Sequence, residues 1–278
     1  MSPTDTLVRA RAALAEADAL LIGAGAGMGV DSGLPDFRGH DGFWKAYPPY
    51  KALGLGFQQL ANPRAFHDDP ALGWGFYGHR QALYAETTPH AGFAMLRDFA
   101  AGLRHGGFVF TSNVDGQFAK AGFHPDHIVE CHGSIYYQQC MTPCGPDIRI
   151  APAAPAVDLA TMRARAPLPR CPTCGGLARP NILMFGDCGW NAARTETQQA
   201  RFDAWVARLG SARLVILEFG AGTAIPSVRL TGEGLMSGRA GATLIRVNPR
   251  EPEGPPGTLS LAMGALAACE ALLGRRDA

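Results

Sequence analysis

The chain has 278 residues, 47% hydrophobic and 18% charged, a balance that excludes a largely disordered polymer and allows a sizeable core. Its net charge of +1 gives no ground for a broad nucleic-acid or membrane surface. No stretch reaches the roughly 18 apolar residues of a membrane span, and the N-terminus lacks a basic start followed by an unbroken apolar run, so a cytoplasmic location is expected. The length suits a single large α/β unit with a smaller insertion. Seven cysteines in such a chain read as thiols or metal ligands rather than disulfides.

In chain order, residues 3–18 place Leu7, Ala10, Leu14 and Ala17 at helical spacing behind a Thr/Asp start, predicting a helix. ALLIGAGAG (19–27) predicts a short buried strand that runs straight into a glycine-rich turn, the way nucleotide-binding α/β folds begin. Residues 40–95, rich in aromatics, His and Pro, predict helices and loops beside a cleft, with a further helix over 91–104. GFVFTSNVD (107–115), ARLVILEFGAG (212–222) and ATLIRVNP (242–249) predict three more strands, and residues 264–274 a closing helix. Each strand ends in Gly, Asn or Asp. Any one of these residues is an ordinary strand terminator, but in a parallel sheet such ends share one edge, where ligands bind.

Residues 136–180 interrupt this alternation. Cys140-Met-Thr-Pro-Cys144 and Cys171-Pro-Thr-Cys174 are two close cysteine pairs separated by 26 residues. Pairs at this spacing present two thiolates each to one metal, and together they predict a closed, structural zinc site. The alternative is four incidental buried thiols. Zinc ribbons occur in many proteins, so the pairs do not identify an activity.

The segment GAGMGVDSGLPDFR (25–38) lacks the GxGxxG spacing of the dinucleotide fingerprint. Gly25 and Gly27 would let the backbone approach a pyrophosphate closely, while Asp36 and Arg38 supply opposite charges nearby. A surface ion pair after a proline turn is the plainer reading of those two charges.

Taken in order, several segments resemble the sirtuin family. Gly25-Ala26-Gly27 with Ser32 to Arg38 is similar to its GAG-x5-GIPDFR signature, and Thr111-Ser112-Asn113-Val114-Asp115 to TQNID. His132-Gly133 resembles the HG element, and the four cysteines follow in the expected order. Arg179 to Asp187 is similar to RPxVVxFGE, Gly220-Ala221-Gly222 stands in place of GTS, and Val247-Asn248-Pro249 in place of INP. The resemblance implies a Rossmann-like parallel-sheet domain (1–39, 91–135 and 181–278) with an inserted smaller domain of helices and a zinc ribbon (40–90 and 136–180). It also implies two cofactors, NAD and structural zinc, and a protein partner bearing acylated lysine.

In that family the acyl oxygen attacks the nicotinamide ribose, nicotinamide leaves, and the products are free lysine and O-acyl-ADP-ribose. By resemblance, His132 is the general base on a ribose hydroxyl, a role suited to an imidazole that titrates near neutrality. Asn113 and Asp115 hold the nicotinamide amide and a water. Gly25, Ala26, Gly27, Ser112, Gly220, Ala221 and Gly222 belong to the NAD site. Asp36, Phe37 and Arg38 face the nicotinamide ribose, and Asn248 the adenosine ribose. Phe76-Tyr77-Gly78-His79-Arg80 resembles the FYxxR element of the desuccinylase branch. Tyr77 and Arg80, three apart on one helix face, would bind the carboxylate of a succinyl or malonyl group, or else form a Tyr/Arg pair on an ordinary amphipathic helix. The chain departs from the family at Gly29, at Ser112, at Gln117-Phe118 and at Gly220 to Gly222. The alternative on the same fold is an NAD-consuming ADP-ribosyltransferase or NAD hydrolase.

Overall fold

The computed structural model describes residues 3–36 and 39–274, the side chains of residue 3 and residues 39–42 excepted. The chain begins with α1 (Pro3–Ala15) and β1 (Ala19–Ala24). The helix stops short of residue 18 because Asp18 already belongs to the sheet: its amide donates to Arg213 O and its carbonyl accepts from His105 N. A 3-10 turn (Ala26–Ser32) follows, then α2 (Gly39–Ala46), α3 (Pro48–Ala52), α4 (Phe57–Leu60), α5 (Pro63–Asp68) and α6 (Pro70–Glu86). Asn62 and Asp69 cap α5 and α6 through their side chains, each followed by proline at the first helical position. Next come α7 (Ala91–Ala101), β2 (Gly107–Thr111), α8 (Gln117–Lys120) and β3 (Ile128–Glu130).

The chain then leaves the main sheet for β4 (Gly133–Cys140), β5 (Arg149–Ile150), β6 (Val157–Asp158), β7 (Arg163–Ala164) and β8 (Ala178–Ile182). It returns through α9 (Ala193–Arg208), β9 (Leu214–Phe219), α10 (Ser227–Gly238), β10 (Thr243–Val247), β11 (Leu259–Leu261) and α11 (Ala265–Leu273). Among the described residues, no helix is long and apolar enough to cross a membrane.

The main sheet has six strands in the order β11-β10-β9-β1-β2-β3, and every pairing is parallel. The strand period of two sends Leu20 and Ile22 to one face, against Ala10, Leu14, Phe93 and Leu96. Ala19 and Leu21 face the other way, toward Phe108, Phe202 and Trp205. Both faces are therefore covered by helices, as a parallel sheet requires. From β1 the order runs outward through β2 and β3 on one side and through β9 to β11 on the other. The carboxyl ends of β1 and β9 form the switch point between the two directions, where open α/β sheets take their ligands.

Beside it lies a smaller unit of helices α2 to α6, the three-stranded antiparallel sheet β5-β4-β8 and the β6–β7 hairpin. Its core is aromatic, built on Phe43, Tyr47, Tyr50, Phe66, Trp74, Phe76 and Tyr77. The two units are joined directly at His132-Gly133, between β3 and β4. Gly133 has φ 78°, and a Cβ there would lie 2.1 Å from Asn181 O, so only glycine lets β4 start this close to β8.

Candidate active site

Two glycine loops meet at the switch point. Gly25 N donates to Phe219 O and Gly27 N to Gly220 O. A Cβ on Gly27 would lie 2.6 Å from Gly220 Cα, and one on Gly220, at φ 56°, 2.3 Å from Gly27 Cα. The immediate reason for these glycines is thus the packing of one loop on the other. Ala26 is exposed, and among the described residues, chain neighbours aside, a Cβ built on Gly222 meets only Glu251 Oε2 within 4 Å, at 3.5 Å. A surface of bare backbone leading into the N-terminus of α10 fits a diphosphate. Gly29, the departure inside this loop, has its own explanation. A Cβ there would lie 3.1 Å from Leu34 Cδ1, so the buried leucine takes the space a serine would need.

The ends of β2 and β3 bring Asn113, Asp115 and His132 to the same edge. Thr111 Oγ1 donates to Ala24 O, and Asn113 Nδ2 donates to Gly25 O at 2.9 Å, which pins the β2 end to the first glycine. Ser112 N donates to Ala24 O. Asp115 is buried just beyond, its Oδ1 accepting from Gln117 N. Burial pushes the Asp115 carboxyl up to about 6; Glu130 pushes the same way, and the Gln117 bond and Arg80 oppose them. His132, just after β3, has Nε2 3.2 Å from Ser227 Oγ, at the first residue of α10. Burial holds its imidazole below the ordinary histidine range, partly offset by a hydrogen bond to the Ser112 backbone. Ser227 lies 95 residues from His132, and no local motif in the chain announces their contact.

Asn248 bridges two loops of the site. It is fully buried, its Nδ2 donates to Ala221 O, and its Oδ1 accepts from Arg250 N and Glu251 N. Its amide ties the loop after β9 to the loop after β10. Asp36 accepts from Arg250 NH2 at 2.9 Å, tying the loop before α2 to the loop after β10. Phe37 and Arg38, the other two residues assigned to the nicotinamide ribose, lie outside the described residues.

On α6, Tyr77 and Arg80 do share a face, and both are buried. The Arg80 guanidinium lies 5.5 Å from the Tyr77 ring centroid, and its Nε and NH2 both donate to Tyr84 Oη, at 2.9 and 2.7 Å. Burial pushes the Tyr77 phenol up to about 12. Tyr84, one turn beyond Arg80, is the partner that the two-residue element did not disclose. Gln117 Nε2 donates to Tyr84 O at 3.2 Å, so the end of α6 stands next to the segment after β2.

The four cysteines come together. Sγ atoms of Cys140, Cys144, Cys171 and Cys174 all lie within 4.8 Å of one another, with Cys140–Cys174 at 3.5 Å and Cys144–Cys171 at 3.6 Å. Tetrahedral zinc with bonds of about 2.3 Å sets its sulfurs about 3.8 Å apart, so the cluster fits a closed structural site. One zinc per chain by elemental analysis is the expected result, and Cys171→Ser or chelation should lower Tm by on the order of 10 °C. A metal-free protein with an unchanged Tm would instead mean four incidental thiols.

The profile of the Sir2 family matches residues 25–215 of this chain. The chain is 34% identical over 202 residues to the NAD-dependent protein deacylase sirtuin-5 of Danio rerio, and the match takes in 66% of this chain and 62% of that protein. The chain thus spans about three fifths of the length of the sirtuin-5 relatives it matches. It is 31% identical to the NAD-dependent protein deacylase of Thermus thermophilus, across 97% of this chain and 94% of the relative. Among solved structures it is similar to a Sir2 homologue bound to NAD, with a TM-score of 0.70 and 26% identity over 95% of this chain and 92% of the other.

Proposed function

The chain belongs to the Sir2 family, and from that premise we propose that it is an NAD-dependent lysine deacylase acting on acylated proteins. The observation that carries this reading is the position of His132: an imidazole kept below the ordinary histidine range by burial, hydrogen-bonded to the Ser112 backbone and to Ser227 Oγ, the first residue of the helix that follows the Gly220–Gly222 loop. NAD, when bound, supplies the ADP-ribosyl group that accepts the acyl chain. The bare backbone of Gly25 to Gly27 and Gly220 to Gly222 would carry its diphosphate. Asn113 and Asp115 would receive the carboxamide end, with Asp115 able to hold a proton near neutrality because burial raises it. His132 would take the proton from a ribose hydroxyl. Removing that proton needs the neutral ring, which burial favours.

Product analysis decides the reaction. O-acyl-ADP-ribose and free lysine from an acyl peptide and NAD are expected; ADP-ribosylated protein or free ADP-ribose alone would replace deacylation with transfer or hydrolysis.

The acyl group is the finer question, and the α6 cluster favours a short acidic one. The Tyr84 hydroxyl takes two donors of Arg80, which fixes the orientation of the guanidinium among the Tyr77, Phe76 and Tyr84 rings. An arginine fixed in this way beside a phenol is suited to a terminal carboxylate. Arg80→Met is expected to lower turnover of succinyl or malonyl peptides by about 100-fold while acetyl peptides lose little. Equal loss on both, or a wild-type preference for acetyl, would remove the carboxylate clamp.

A further inference from the structure

We propose that Arg229 is a positioning residue for the cofactor, welding the loops after β9 and β10 into one surface; the inference rests on the NAD reading above. Arg229 is buried on α10, yet its three donor groups go to three backbone carbonyls on two different loops. Nε donates to Ala221 O and NH1 to Glu253 O, both at 3.1 Å, and NH2 donates to Glu251 O. A buried guanidinium bonded to neutral carbonyls carries a desolvation cost that a buried apolar residue would not. What the planar fork contributes in return is geometry, because it fixes three acceptors in three directions at once.

The surroundings show the loops depend on such ties. Ala221 O also accepts from Asn248 Nδ2, and Thr223 donates through both N and Oγ1 to the Glu251 carboxylate. Glu253 O accepts a further bond from Arg246 NH1. Beneath them Arg246 is paired with Glu218 and Glu233, so the loops rest on a buried, hydrogen-bonded ionic base. The loop Gly220-Ala221-Gly222 has no hydroxyl or other polar side chain of its own, and two of its three residues are glycine. Its shape is therefore imposed from below, by Arg229 and Asn248. Arg229 also stands two residues after Ser227, which contacts His132. One helix thus positions the proposed base and the proposed diphosphate loop together.

Isothermal titration with NAD on the full chain tests this, alongside steady-state kinetics and Tm. Arg229→Met and Arg229→Gln should bind NAD about tenfold more weakly and raise its KM, with kcat at saturating NAD nearly unchanged. Arg229→Lys keeps the charge but reaches fewer carbonyls, and should fall between these variants and wild type. If Arg229→Met does not fold, Arg229→Lys carries the test. A folded variant with wild-type NAD affinity overturns the proposal and leaves Arg229 as packing; so does a fall in kcat with affinity unchanged. A wild-type chain that binds no NAD would overturn the functional reading on which the proposal rests.

Discussion

Replacing His132 by alanine is expected to cut deacylation by about 10²- to 10⁴-fold while leaving the NAD dissociation constant close to wild type. The ring contacts the Ser112 backbone and Ser227 Oγ, and none of these contacts supports the glycine loops. The effect should therefore fall on kcat and not on cofactor binding. The pH dependence follows from the direction of the shift. Burial lowers the imidazole below its ordinary 6.5, so the neutral, proton-accepting form persists to lower pH than in free histidine. The acid limb of kcat/KM should accordingly lie below pH 6.5, and His132→Ala should abolish it. The positive N-terminal end of α10, which meets the ring at Ser227, acts in the same direction. Ser227→Ala removes one orienting contact and should cost far less than His132→Ala. Retention of a tenth or more of wild-type turnover in His132→Ala would rule the ring out as the base.

The sequence disclosed the parts of this site that depend on short, local chemistry. β1, β2, β9 and β10 were legible because each is a brief apolar run ending in a turn residue, and all four run in parallel to one edge. The cysteine cluster was legible because metal-ligand spacing is a local property, and its four sulfurs do converge. What escaped was whatever depends on meeting across the fold. The edge strands β3 and β11 are three residues each, too short to show a period. The helix α10, SVRLTGEGLMSG, carries glycine at 232 and 234 and has little intrinsic helical preference; its packing on β9, β10 and β1 holds it.

Site roles divide in the same way. His132 stands out in the sequence by its neighbour Gly133, whose φ of 78° and close approach to Asn181 O require glycine at that position. Ser227, Arg229, Tyr84 and Arg250 had no such local mark. Each is an unremarkable polar residue until the fold puts it against His132, the Ala221 loop, Arg80 and Asp36 respectively. Asn248 was legible through its motif, but the hydrogen bonds by which its buried amide ties the loops after β9 and β10 were not.

Asp115→Asn is expected to stabilise the protein at pH 8 while lowering its turnover. The Asp115 carboxyl rises from 3.8 to about 6, chiefly because it is buried, and Glu130 adds to the rise. For an acid raised in this way, the folded chain holds its proton more tightly than the unfolded chain does. Stability therefore declines as pH increases from about 4 to about 6, and above that window the full deficit remains. The difference corresponds to about 3 kcal/mol. Asparagine removes the buried charge and can still accept the Gln117 amide bond through its Oδ1. Its Tm at pH 8 should exceed wild type by on the order of 2–6 °C, and the advantage should vanish below about pH 4. The role proposed above, a proton or a hydrogen bond offered to the carboxamide end of NAD, would be the use for which a buried carboxylate is kept at this cost. Turnover in Asp115→Asn should fall by about 100-fold. A variant that is less stable than wild type at pH 8 would show that the carboxylate holds the β2 end in place, and the functional argument for Asp115 would go with it.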